Sequence, residues 1–145
     1  MNFSTVHGKE WIEARCSLDT NIYLELFLGR ERADDCEKLL DKISTGESEA
    51  VTTKFSIHAA EALLNESKLI LTFLRNMENS IGLGVYETSL DDEIAVSMAM
   101  NKLALDFDDA LQYYVARKLG VEAIISYDKH FDRLDIPRKE PSDII

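Results

Sequence analysis

The sequence is poor in the residues that interrupt, cross-link or anchor a chain. Two prolines and six glycines in 145 residues leave no room for long linkers or low-complexity tracts. The two cysteines, Cys16 and Cys36, lie far apart with no C-x-x-C or Cys/His spacing. That argues against zinc and points to reduced thiols acting as small buried hydrophobes. No apolar run approaches the roughly 18–20 residues of a membrane span, and positions 1–11 hold no continuous apolar stretch of the secretory kind. A cytoplasmic protein is expected. Positive charge is scarce too: 16 basic against 27 acidic residues give a net charge of −11, which disfavours any function resting on diffuse attraction to phosphate. A chain so charged that acts on nucleic acid must screen its acids with bound divalent metal. Local basic clusters exist at Arg30 and Arg32, at Lys129, His130 and Arg133, and at Arg138 and Lys139, and each alone reads most simply as a solvated face.

What is present suits one domain. A hydrophobic fraction of 46% with 30% charged residues is ordinary for a packed core, and the length matches the commonest domain size. The domain is placed over 14–145, preceded by a polar segment, 1–13, expected to be a mobile extension or a non-native start.

Apolar spacing alternates between strand and helix. Residues 14–18, 49–53, 85–88 and 121–127 read as strands; 32–43, 56–64, 68–79, 91–103 and 106–120 carry helical spacing, and 22–27 follows the Asp19-Thr20-Asn21 capping signal. Ser56 is the expected cap of the third of these helices and Asp106 that of the last. Strands separated by helices require crossover connections and hence a parallel sheet covered on both faces. The expected fold is α/β, a three-layer α/β/α sandwich with a mainly parallel central sheet. The pair Gly82 and Gly84 lacks a third glycine and precedes its strand, so the dinucleotide fingerprint fails.

In such a sheet, ligands gather outside the carboxyl ends of the strands. Asp19 and Asp128 follow candidate strands there, and Glu61 and Asp109 lie on helices that succeed loops leaving the same edge. Each has a simpler explanation by itself: a helix cap for Asp19, a solvated helix position for Glu61, a dipole-favoured first turn for Asp109, a turn for Asp128. Together they can converge, and converging carboxylates repel unless a cation compensates. Hard divalent cations prefer oxygen donors, and Mg²⁺ takes one or two carboxylates plus phosphate oxygens, so the set points to phosphate chemistry. Asp106 and Asp108 crowd Asp109; by helix phase, Asp108 points a step away from it.

Four local patterns carry a family likeness: Leu18-Asp19-Thr20-Asn21, Ala60-Glu61-Ala62-Leu63, Asp108-Asp109-Ala110-Leu111, and Ser126-Tyr127-Asp128 with Phe131 beyond. In this order they resemble the PIN-domain nucleases, including the toxin ribonucleases of toxin–antitoxin pairs, over about residues 14–137. The resemblance implies a Mg²⁺- or Mn²⁺-dependent endoribonuclease acting on single-stranded RNA. It makes Asp19, Glu61, Asp109 and Asp128 the catalytic, metal-binding acids and gives Asn21 and Ser126 supporting roles. It also implies an antitoxin as protein partner where the chain is such a toxin, and a homodimer. Tyr113, Tyr114 and Tyr127 are candidate stacking faces for bases, although the two helical tyrosines read more simply as core or interface. His130 is either a substrate contact or an exposed turn histidine. The competing reading is a metal-free PIN-fold scaffold, and the persistence of all four acids weighs against it.

Overall fold

The computed structural model describes residues 3–5 and 15–145. Six strands are named in chain order: β1 (Phe3–Thr5), β2 (Cys16–Leu18), β3 (Ala50–Thr53), β4 (Leu83–Tyr86), β5 (Ala123–Ile125) and β6 (Arg138–Lys139). Six helices accompany them: α1 (Asn21–Phe27), α2 (Ala33–Thr45), α3 (Lys54–Leu64), α4 (Ser67–Glu78), α5 (Leu90–Leu103) and α6 (Phe107–Leu119). The sheet order is β1-β4-β3-β2-β5-β6. The five strands from β4 to β6 run parallel, and β1 joins the edge of β4 antiparallel.

Buried strands explain their own composition. Along β3, Ala50 packs with residues of α1 to α4 while its neighbour Val51 packs with α6, and the same alternation separates Ile125 from Ile124 in β5. Successive side chains point to opposite faces, so both faces must be apolar when helices cover both. One helical layer is α1 to α4, anchored by Ile22, Leu39, Ile43, Ile57 and Phe73. The other is α6, with α5 packed against it through Val96, Leu105 and Leu111. The three-layer sandwich expected from sequence is therefore the fold.

The chain crosses from β2 to β3 and β4 on one side, and later places β5 and β6 on the other side of β2. The crevice between the carboxyl ends of β2 and β5 is thus the topological switch point of the sheet. Asp19 and Asp128 both lie just beyond those ends.

Several local expectations shift. The fourth strand is 83–86 rather than 85–88, because pairing starts directly after a close backbone approach at Gly82. Its N–H donates to the Ile43 carbonyl (2.8 Å) and its carbonyl accepts from Ala50 (2.9 Å). A Cβ at residue 82 would overlap the Ser48 carbonyl oxygen and lie 2.6 Å from that of Ile43. Thr53, not Ser56, caps α3, accepting the Ser56 N–H at 3.0 Å, which moves Ser56 into the first turn. Ser89 and Asp92 form a reciprocal capping box on α5. Asp106 caps α6 as expected, accepting the Asp109 N–H at 2.9 Å, and Gly120 ends it in the left-handed region, φ 68°. Of the segment expected as an N-terminal extension, 1–13, residues 1–2 and 6–13 lie outside the described residues, while 3–5 supply β1. No helix among the described residues is long and apolar enough to cross a membrane.

Candidate metal centre

Asp19 is 7% exposed at the end of β2. Its Oδ2 accepts the Ser126 hydroxyl proton at 2.7 Å and its Oδ1 accepts the Asn21 N–H at 3.1 Å. Asp19 is not the N-cap of α1, which is Thr20 and makes no side-chain cap bond; one Asp19 oxygen steadies the Asn21 N–H just before the helix and the other faces Ser126 beyond β5. Ser126 Oγ also accepts the Asp128 N–H at 2.9 Å and the Asn21 Nδ2 at 3.3 Å. The other amide atom of Asn21, Oδ1, is buried with no hydrogen-bond partner among the described residues.

Asp109 is also 7% exposed, in the first turn of α6. Asp128 follows β5 and caps the short 3₁₀ turn Lys129–Arg133, its Oδ1 accepting the His130 N–H at 2.9 Å. The His130 ring returns to both acids: Nδ1 lies 3.1 Å from Asp128 Oδ1 and 3.6 Å from Asp109 Oδ2. Asp109, Asp128 and His130 each offer one ligand atom, all within 4.8 Å of one another.

Burial pushes the Asp19 carboxyl up to about 6, against the pull of its bonds to Ser126 and Asn21, with Asp108 and Asp128 adding repulsion. Asp109 is raised as well, by burial first and then by the facing Asp128 and Asp106, with Asp19 contributing. Desolvated like charges with no lysine or arginine bonded to them among the described residues form the environment that a divalent cation relieves. The oxygen donors fit a hard ion, and the orphaned Asn21 Oδ1 beside them fits an ion-bound water. Asp19, Asp109 and Asp128 are the residues that would hold it.

Residues 17–137 match the family model described as PIN domain. The chain belongs to the PIN-domain family. No curated protein matches it in sequence. Among solved structures, it is similar in fold to VapC20 of Mycobacterium tuberculosis, a sarcin–ricin-loop-cleaving toxin, with TM-score 0.69 and 18% identity over 83% of this chain and 95% of that one. A toxin–antitoxin complex from Klebsiella pneumoniae is similar at TM-score 0.67 and 15% identity, over 87% and 97%. VapBC2 from Rickettsia felis, bound to a DNA fragment from its promoter, follows at TM-score 0.62 and 12% identity, over 86% and 97%.

In this PIN domain the four acids expected from sequence are not equally engaged. Asp109 and Asp128 come together with His130, and Asp19 joins them less closely, linked to Asp128 through Ser126 and repelling both acids. Glu61, on α3, instead has no hydrogen bond to the site among the described residues; its Oε1 lies 2.7 Å from His58 Nδ1, one turn back on the same helix. Sequence reasoning also set Asp108 aside as pointing away, whereas it is partly buried at the same edge. Its Oδ1 accepts the Ser56 hydroxyl at 3.0 Å and the Gln112 amide at 3.3 Å, and burial raises it first, with Asp106 and Asp128 adding to the rise. Ser56 and Asp108 are 52 positions apart, so no local signal pairs them; only the displaced cap of α3 exposes Ser56 for the contact.

The basic clusters are largely occupied internally. Arg138 donates to Asp132 (2.7 Å), Glu140 (2.8 Å) and the Ser126 carbonyl (3.0 Å). Arg32 lies 4.3 Å over the Tyr127 ring and 3.8 Å from Glu140, so that ring already has a stacking partner. Tyr113 and Tyr114 hydrogen-bond Asp135 (2.6 Å) and Asp92 (2.9 Å). A cavity of about 460 Å³ opens near Arg15, Cys16, Glu122 and Ala123, at the amino ends of β2 and β5 and away from the acids.

Proposed function

We propose that this PIN domain is a Mg²⁺- or Mn²⁺-dependent endoribonuclease that hydrolyses phosphodiester bonds of single-stranded RNA, and that it acts as the toxin of a toxin–antitoxin pair. The observation carrying the reading is the meeting of Asp109 and Asp128 at the switch point, with Asp19 tied to Asp128 through Ser126 and repelling both, and with no lysine or arginine bonded to the three among the described residues. Buried acids that repel one another, with hydrogen bonds compensating only part of the cost, destabilise a fold unless a cation binds them. Asp109 and Asp128, with Asp19 beside them, would hold a divalent ion, whose chemistry would be Lewis-acid polarisation of a phosphate oxygen and a bound water of lowered pKa. The chain's own residues orient: Ser126 fixes Asp19 and the Asp128 backbone together, Asn21 steadies Ser126, and Asp106 fixes the turn that presents Asp109. Glu61 belongs to the proposed acid set through the family likeness, from the helix next to the site. The exposed row Leu90, Ile94 and Met98 along α5 supports the homodimer, since contiguous apolar surface on a monomer usually marks an interaction face. The antitoxin partner rests on the toxin–antitoxin assemblies that share the fold.

The test is cleavage of a labelled single-stranded RNA by the purified chain with Mg²⁺, Mn²⁺ or EDTA, alongside calorimetry of metal binding. Metal-dependent internal cuts support the proposal. Metal binding without cleavage of any RNA in the presence of either ion, or no metal binding at all, favours the scaffold.

A further inference from the structure

We propose that His130 supplies an imidazole nitrogen to the ion in this centre, beside Asp109 and Asp128, and so tilts its preference from Mg²⁺ toward Mn²⁺ and the later first-row ions. The inference rests on the proposed metal centre and adds to it a ligand that an all-carboxylate set lacks.

Three observations carry it. The first is spacing. Donors at about 2.1 Å around an octahedral ion sit roughly 3.0 Å apart when adjacent and about 4.2 Å apart when opposite. His130 Nδ1 is 3.1 Å from Asp128 Oδ1 and 3.6 Å from Asp109 Oδ2, and all three donor atoms fall within 4.8 Å. Small adjustments bring them onto one ion. The second is preparation of the backbone. The His130 N–H is held by Asp128 Oδ1 at 2.9 Å, and the next residue, Phe131, is wholly buried. The ring's starting point is therefore fixed by the same carboxylate that would share the ion. The third is that the contact is not needed elsewhere. The side chain is 72% exposed, and among the described residues its Nδ1 faces only the two acids. A histidine whose role was packing would be buried.

The chemical consequence follows from ligand type. Carboxylate and water suit Mg²⁺, whereas imidazole adds affinity for transition ions and little for Mg²⁺. Asp19 and the waters of the ion would complete an oxygen-rich sphere containing one nitrogen.

The experiment compares the full-length protein with His130→Gln, using Mn²⁺ and Mg²⁺ separately as probes. Calorimetry gives both affinities, and pulsed electron paramagnetic resonance of the Mn²⁺-loaded protein reports nitrogen coupled to the ion. The expected result is a nitrogen coupling that vanishes in His130→Gln, with Mn²⁺ binding weakened roughly tenfold and Mg²⁺ binding little changed. Mn²⁺ bound without nitrogen coupling, or coupling that persists in the variant, overturns the assignment while leaving the metal centre standing. Tighter binding of both ions in the variant also overturns it, because His130 would then be a competing cation. If the unaltered protein binds neither ion, the nuclease reading fails together with this one. Unfolding curves of the metal-free variant establish that the exposed substitution leaves the fold intact.

Discussion

The Ser126 hydroxyl donates to Asp19 Oδ2 at 2.7 Å across 107 positions of sequence, joining the ends of two neighbouring parallel strands at one oxygen atom. The same oxygen accepts the Asp128 N–H and the Asn21 amide, so it positions two proposed ligands at once. Ser126→Ala leaves a buried carboxylate oxygen and a backbone N–H without their partner, at about 1–3 kcal/mol. Metal affinity is expected to fall with stability, whereas Ser126→Thr, which keeps the oxygen, retains most of the affinity. Denaturation and calorimetry on both variants check this; an alanine variant with unaltered metal binding would show the link to be ornamental.

Asp19 makes the metal-free protein sensitive to pH in a definite direction. Its carboxyl is raised from 3.8 to about 6, chiefly by burial, so the folded chain holds that proton more tightly than the unfolded one. The penalty is absent below about pH 4, grows as pH rises toward 6 and is complete above it, with an upper bound of about 3 kcal/mol. Metal-free Asp19→Asn should therefore be more stable than the unaltered protein at pH 7.5 and similar to it at pH 4. Saturating Mn²⁺ should reverse the order at pH 7.5, because only the unaltered protein gains RT ln(1 + [L]/Kd) in full. RNA cleavage by Asp19→Asn should be lost. Urea titrations at the two pH values, with and without metal, decide it.

The three acids that open α6 have different duties. Asp109→Asn should lose cleavage and metal affinity together. Asp106→Asn should change stability by only a few tenths of a kcal/mol, since Asn caps as well as Asp. Asp108→Asn keeps an acceptor for Ser56 and Gln112 and should leave metal affinity within a few-fold, while Asp108→Ala should destabilise by about 1 kcal/mol. Should Asp108→Asn abolish metal binding and Asp109→Asn spare it, the third ligand has been misassigned.

Glu61 is tied to His58 at 2.7 Å on a half-exposed face. If it joins the centre when the ion binds, it must leave that partner. Glu61→Gln should then reduce cleavage strongly but metal affinity less than Asp109→Asn does, and His58→Ala should preserve cleavage. Equal loss of affinity in the Glu61 and Asp109 variants would instead make Glu61 a principal ligand.

Away from the centre, Asp92 joins α5 to α6. Despite burial, the Ser89 N–H, Lys118, Tyr114 and Tyr86 hold its carboxyl well below the usual carboxylate range. Stability from this group is therefore present above the unfolded value of 3.8 and lost as pH falls toward the folded one. Asp92→Asn leaves Lys118 without its charged partner and should destabilise by roughly 2–4 kcal/mol with no change in metal affinity. Thermal unfolding paired with calorimetry separates the two effects.

What sequence reveals here depends on how local the cause is. The cap of α6 was legible because Asp106 and Asp109 are three apart and the cap bond spans that interval. The alternation of β and α was legible because burial on both faces forces continuous apolar strands. The convergence of Asp19 and Asp128 followed from their positions after strands, once a parallel sheet was inferred. β6 was not legible: Arg138 and Lys139 have no strand character, and they pair only because Ile124 and Ile125 offer an edge. Asp108 was misjudged because helix phase locates a side chain relative to its own axis but says nothing of which neighbour, here Ser56, has come alongside. The earlier start of the fourth strand was hidden by Gly82 and Gly84, which weaken strand propensity where backbone proximity sets the register.

Gly82 imposes a restriction of a different kind. With the Ser48 and Ile43 carbonyl oxygens occupying the place a Cβ would take, the position tolerates no side chain at all, so a saturation library there should yield glycine alone among well-folded clones. Two sequence-distant loops meet at that atom, and the register of β4, hence the seating of Tyr86 against Asp92, is set by the absence of a single methyl group.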